Sequence, residues 1–218
     1  MKTAKSSAKP ARAYRERLER PKLWIVAGAN GSGKSTVYQD TEIDDTGGGV
    51  WIINPDILTA QIQLTEKLDL HDANVAAADR MFRWLRSSID AYQTIGVETV
   101  LSTGKYRPLV EAAKKKQFEV RLIYVVLKSA ELNVARVAVR VRNGGHDVPR
   151  EKIIERRARS LAQLPWFLER ADKALIYDNS GAPVEIARKE GTVLDISEQA
   201  LPEIKAAVEA VRKRIKNK

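Results

Sequence analysis

The 218-residue chain has no cysteine and only two histidines, His71 and His146. A disulfide, a thiolate nucleophile and a cysteine-built metal site are excluded, and a histidine-built zinc centre has almost nothing to be made from. Long apolar runs are also missing. Nothing approaches the roughly 18–20 residues that a bilayer span needs, and MKTAKSSAKPARAYRERLERPK at the start lacks the apolar stretch of a secretory signal. These absences predict a cytoplasmic protein with no membrane partner. The composition that remains, 44% hydrophobic and 30% charged, is that of a folded chain rather than a disordered one. Its length suits one α/β domain and is too short for two ordinary enzyme domains.

The net charge of +10 suggests a polyanion partner until it is divided along the chain. Residues 1–22 carry +6, residues 212–218 carry +5, and the stretch between sums to −1. The expected organisation is a basic flexible leader over 1–22, one domain over 23–211 and a basic tail over 212–218. Nucleic-acid contact through the tails is a lesser alternative, since the domain itself has no basic surplus.

Hydrophobic patterning predicts alternating strands and helices. Leu23–Ala27 and Val50–Ile53 have the length of buried strands, and Asn54-Pro55-Asp56 opens a helix over 57–64. Val75, Ala78, Met81, Phe82, Leu85, Ile89 and Tyr92 recur at steps of three and four, predicting an amphipathic helix over about 72–95. Strands are expected at Val97–Leu101, Val120–Leu127, Ala174–Tyr177 and Val193–Ile196, with a hairpin arm at Val184–Ala187. Helices are expected at about 106–116, 129–142, 150–170 and from Pro202. The four tryptophans, Trp24, Trp51, Trp84 and Trp166, are expected as core anchors, the first two inside strands. This alternation predicts an α/β fold with a mostly parallel sheet of five or six strands flanked by helices.

One motif carries chemistry directly. Gly28-Ala29-Asn30-Gly31-Ser32-Gly33-Lys34-Ser35, followed by Thr36, fits GxxxxGK[ST] between an apolar strand and a helix start. Glycines let successive backbone N–H groups turn inward, and the helix N-terminus adds positive potential, so the loop cradles phosphate. Lys34 is expected on the β and γ phosphates of ATP or GTP, and Ser35 on Mg²⁺.

A nucleotide site does not fix the reaction. Asp56, just beyond the second strand, is placed to take the proton of an acceptor hydroxyl; the same Asp could instead cap the following helix. Glu98, an acid in an otherwise apolar strand beside Thr99, needs a cation or donors, met either at a substrate site or in a salt bridge. Between Arg136 and Arg159 eight basic residues face three acidic ones. Two basic helices around Gly144-Gly145 suggest a lid over about 136–160, with Arg140 and Arg156 or Arg157 on the transferring phosphoryl and His146 near substrate.

GANGSGKST at 28–36, NPD at 54–56, VETVLS at 97–102, RVRNGGHDVPREKIIERRARSL at 140–161 and YDNSG at 177–181 together resemble the zeta-toxin family of P-loop kinases. The resemblance spans roughly residues 23–196. It implies transfer of the ATP γ-phosphate to a hydroxyl of a nucleotide sugar such as UDP-N-acetylglucosamine, with Asp56 as base, lid arginines on the phosphoryl, and a small antitoxin protein as partner. The chain departs from the family pattern in having Glu98-Thr99-Val100 where members carry Glu-Gly-Thr. Two other functions stay open at this point: a nucleoside or polynucleotide-end kinase, and a slowly hydrolysing nucleotide-gated signalling module.

Overall fold

The computed structural model describes residues 20–39 and 50–217. The leader expected over residues 1–22 falls almost wholly outside them. In order, the elements are β1 (Lys22–Ala27), α1 (Lys34–Gln39), β2 (Ile52–Ile53), α2 (Pro55–Glu66), α3 (Leu70–Asp90) and β3 (Ile95–Thr99). After a 3₁₀ turn at Gly104–Tyr106 come α4 (Arg107–Lys115), β4 (Glu119–Val126), α5 (Ala130–Arg142), α6 (Arg150–Arg170), β5 (Lys173–Asp178), β6 (Val184–Glu190), β7 (Val193–Ile196) and α7 (Pro202–Lys216).

The strands form one sheet in the order β2-β3-β1-β4-β5-β6-β7. The first five are parallel; β6 and β7 add antiparallel. Seven strands therefore stand among the described residues, against the five or six expected. The hairpin arm grows into a full strand because every residue from Lys173 to Asp178 finds a β6 partner, the register shifting between Ile176 and Tyr177. From β1 the chain passes to β2 and then β3 on one side and afterwards crosses to β4 on the other. Ligands of open α/β sheets bind at such a reversal, at the carboxyl ends of the strands.

Alternation along the strands divides the core. Leu23, Ile25 and Ala27 of β1, with Leu122 and Tyr124 of β4, face the larger apolar cluster together with α3, α4, α6 and α7. Trp24, Val26, Ile123 and Val125 face the other side, where Val37 of α1 packs. A one-residue shift in register would exchange these faces, so the sheet is firmly specified.

Two expectations are corrected. The buried stripe of α3 is Ala73, Ala77, Met81, Leu85 and Ile89, while Val75 and Tyr92 are exposed. The small alanines let the first turns of α3 pack closely against Ile62 of α2. Trp51 is not in a buried strand: β2 pairs only over Ile52–Ile53, and Trp51 is 58% exposed. It packs on the exposed Trp84 with ring centroids 5.2 Å apart. A two-residue edge strand limits the unpaired backbone that a sheet edge presents. At the other end of the chain the basic tail expected from 212 continues α7, and Arg212 donates to the Leu194 carbonyl.

Candidate active site

β1 ends at Ala27, and the loop that follows bends so tightly that Gly28, Gly31 and Gly33 all have positive φ, at 149°, 74° and 80°. At Gly31 a Cβ would stand 2.6 Å from the Asn133 carbonyl, and at Gly28 one would stand 2.3 Å from the Val125 carbonyl. Both positions therefore accept only glycine. The loop opens directly into α1, which puts Lys34 and Ser35 at its first turn.

Lys34 is buried at the centre of the site. Its Nζ donates to the Gly28 carbonyl at 3.0 Å and the Ala29 carbonyl at 3.3 Å, and it lies 3.7 Å from Glu98 Oε1. Burial pulls the ammonium below its ordinary value of 10.5, against the opposing pull of Glu98 and Asp56, and nearby Arg140 lowers it further. Glu98 Oε2 accepts from Ser35 Oγ at 3.0 Å and from Asn54 Nδ2 at 3.1 Å. The acid in the apolar strand is thus matched to donors of the phosphate loop.

The Asn-Pro-Asp turn resolves into two roles. Asn54 caps α2, its Oδ1 accepting from the amides of Asp56 and Ile57. The Asp56 carboxylate is left without a side-chain hydrogen bond or ion pair among the described residues and lines a cavity of about 360 Å³. Lys34, Asn54, Glu98, Thr99 and Arg140 line the same cavity.

The two helices expected as a lid are α5 and α6. Gly144, at φ 83°, closes α5, with its amide and that of Gly145 returning to the Val141 and Arg140 carbonyls. A Cβ on Gly145 would meet Arg140 Cγ at 2.5 Å. The Gly-Gly pair is therefore a helix cap and a seat for Arg140, whose NH2 also donates to the His146 carbonyl at 2.7 Å. The His146 side chain is exposed and outside the cavity lining. Arg156 reaches the cavity. Arg157 does not line it, donating instead to the Leu127 carbonyl and to Glu203, each at 2.9 Å.

The zeta toxin family model matches residues 5–191. The chain belongs to the zeta toxin family. It is accordingly a P-loop kinase, a phosphotransferase with a nucleotide site. An uncharacterized protein of Haemophilus influenzae is 28% identical over 136 residues, 59% of this chain and 92% of that protein. Among solved structures, AvrRxo1-ORF1 in complex with AvrRxo1-ORF2 and ATP superposes with a TM-score of 0.64 at 15% identity, over 95% of this chain and 79% of that one. The PezAT chromosomal toxin–antitoxin system of Streptococcus pneumoniae gives 0.57 at 15% identity, over 95% and 93%. Likeness at that identity shows the shared fold.

Two residues of this zeta toxin site have a role that the sequence did not assign to them. Asn133 of α5, fully buried, donates through Nδ2 to the Asn30 carbonyl at 2.8 Å. Asn179, in the turn after β5, donates through Nδ2 to the Ser32 carbonyl at 2.9 Å. These amides splint the phosphate loop from two sides. The available signal was weak: Asn133 is a polar residue on the inward face of a helix whose other buried residue is Val137.

Proposed function

We propose that the chain is an ATP- and Mg²⁺-dependent kinase that transfers the γ-phosphate to a hydroxyl of a small molecule, a nucleotide sugar such as UDP-N-acetylglucosamine being the favoured acceptor. The observation that carries this is the Asp56 carboxylate, unpaired at the wall of a cavity that Lys34 also lines. A hydrolase needs no such cavity beyond its phosphate loop; a kinase needs room for an acceptor and a base beside it.

Asp56 accepts the proton of the acceptor hydroxyl as its oxygen attacks the γ-phosphorus. Lys34 and the amides of residues 28–36 hold the phosphates, and Arg140 offers its guanidinium to the charge spread over the transferring oxygens. Glu98 orients Ser35 and Asn54, and Thr99 stands beside it at the acceptor wall. The donor set also suits the metal: Ser35 Oγ and the Glu98 carboxylate are neighbouring hard oxygens, and Mg²⁺ needs few protein ligands. Ser35 would hold it directly with Glu98 behind, and when bound it supplies positive charge to the β and γ phosphates. The PezAT structure is of a toxin–antitoxin system, which supports a small antitoxin protein as partner.

Incubation with labelled ATP and a metabolite panel that includes UDP-sugars tests the proposal. The expected outcome is label on one acceptor, with turnover in Asp56→Asn reduced at least 100-fold and nucleotide affinity kept, a loss in line with removing a general base. Label on no acceptor, with nucleotide consumption unchanged in Asp56→Asn, would refute it.

A further inference from the structure

At the end of the sheet farther from β1, β7 pairs with β6 alone. Ser197 donates its amide to the Ile186 carbonyl at 2.9 Å. In an antiparallel ladder, residues that bond inward alternate with residues that bond outward, so Leu194 and Ile196 turn their N–H and C=O groups away from β6. Arg212 of α7 fixes that phase by reaching the Leu194 carbonyl from outside at 2.6 Å. Beyond this contact the outward groups of Leu194 and Ile196 meet no other element among the described residues. An edge left in that state is a template for another strand.

A groove runs beside the edge, between β7 and α7. It consists of two adjoining hollows of about 530 Å³ and about 340 Å³, the first reaching Ile196 and Glu198, the second Thr192 and Leu194, with Glu209 and Arg212 lining both. Lys205, Glu209, Arg212 and Lys216 follow one another at steps of four, three and four, so one stripe of α7 overlooks the groove, with Lys213 beside it. The ion pairs of α7 run elsewhere, from Glu203 to Arg157 and from Arg214 to Glu169. Lys213 and Lys216 are exposed and have no acid partner among the described residues. Arg212 gives the Leu194 carbonyl one N–H of a guanidinium that carries several. Lys205, Arg212, Lys213 and Lys216 against Glu198 and Glu209 leave the groove with a surplus of positive charge.

We propose that this groove takes up an extended, acid-bearing segment of a partner protein, which adds to β7 as a further strand and sets carboxylates against the basic stripe of α7. Leu194 and Ile196 supply the backbone ladder. Alternate side chains of the added strand hang over the groove about 6.6–7 Å apart, and Arg212 to Lys216 spans about 6 Å along the helix. Acids two positions apart therefore meet Arg212 or Lys213 at one step and Lys216 at the next. A second copy of this chain fits worse, because two β7 edges paired about a two-fold axis bring two basic stripes together. Nucleic acid gains from the lysines and not from the backbone edge, and Glu209 stands in the middle of the stripe. The groove shares no residue with the cavity of Lys34 and Asp56, so the bound segment leaves the nucleotide site open.

A displayed library of random twelve-residue peptides, selected on the full chain, supplies the probe. Enriched sequences should carry Asp or Glu at alternate positions, and a synthetic copy labelled with a fluorophore should bind by anisotropy. The double variant Lys213→Gln with Lys216→Gln should weaken that peptide at least tenfold, while its affinity for a non-hydrolysable ATP analogue stays within twofold of the wild type. Methylating alternate backbone nitrogens of the peptide leaves its side chains and charge intact; one of the two phases should lose binding at least tenfold and the other should keep it. Amide exchange at Leu194 and Ile196, read by NMR, should slow when the peptide is bound. Failure to enrich acidic peptides, equal binding in the double variant, equal binding of both methylated phases, or unchanged exchange at Leu194 and Ile196 overturns the proposal. So does slowed exchange there on raising the protein concentration without peptide, which marks a second copy, and so does tighter binding of a twelve-nucleotide oligo-dT through the same lysines.

Discussion

Single side chains at this site divide labour that the sequence left joined. The Asn-Pro-Asp turn could have used either acid or amide as helix cap; the structure gives the cap to Asn54, and that frees the Asp56 carboxylate. Lys34 shows the opposite economy, one ammonium surrounded by two carbonyls, Glu98 and the field of Arg140. Its depressed pKa has a consequence for pH. The charged form is what grips phosphate, so nucleotide affinity should weaken as pH rises through a value below 10.5, the ordinary lysine value. Titration of an ATP analogue at a series of pH values should show this fall in the wild type and a flat, weaker profile in Lys34→Met. Thr99 is a second case. Its hydroxyl holds the left-handed Leu101, and Thr99→Val strands that buried amide. We expect a loss of about 1–3 kcal/mol in urea unfolding, where a purely substrate-binding Thr99 would leave stability unchanged.

At the scale of elements, the phosphate loop is held by neighbours as much as by its own glycines. Asn133 ties it to α5 and Asn179 to the end of β5, so the helix that carries Arg140 is hydrogen-bonded to the loop that leads to Lys34. Asn133→Ala should therefore weaken nucleotide binding by about tenfold, the equivalent of one buried hydrogen bond of about 1.4 kcal/mol, although the Asn133 side chain bonds only a backbone carbonyl of the loop. Calorimetry with the ATP analogue measures it. The α6–α7 contact depends similarly on Arg157, whose bonds to Leu127 and Glu203 give a guanidinium expected at the reaction a structural tie instead. Arg157→Met should lower stability by about 1–2 kcal/mol, and a double-mutant cycle with Glu203→Gln should show the pair coupled. Most element boundaries were legible because buried strands and capped helices leave strong local marks: Ser129 before α5 and Pro202 at the start of α7 are both visible in the sequence. The face of α3 was not. Ala73 and Ala77 carry little hydrophobic signal, and only the proximity of Ile62 shows that small residues are what that contact requires.

For the whole molecule, the sheet places Tyr124 of β4 and Tyr106 beside β3 deep in the larger core, and burial pushes both phenols up to about 12. Raised tyrosine values stabilise the fold below the ordinary value of 10.0 and cease to do so as pH climbs toward 12. With each pH decade worth about 1.4 kcal/mol, ionising each phenol costs on the order of 2–3 kcal/mol. Stability should be level up to about pH 10 and then fall steeply, a fall reduced in Tyr124→Phe; denaturant midpoints across the alkaline range measure it. The sequence by itself determined the α/β alternation, the phosphate loop and the turn that bears Asp56, because each is a local pattern whose backbone needs are met by adjacent residues. Tertiary structure alone decided which arginines meet the cavity, that Glu98 lies against Ser35, that Asn133 and Asn179 hold the phosphate loop, and that Lys105 lines the cavity. These residues come from separate elements, and only the order in which parallel strands pair brings their side chains within reach of one another.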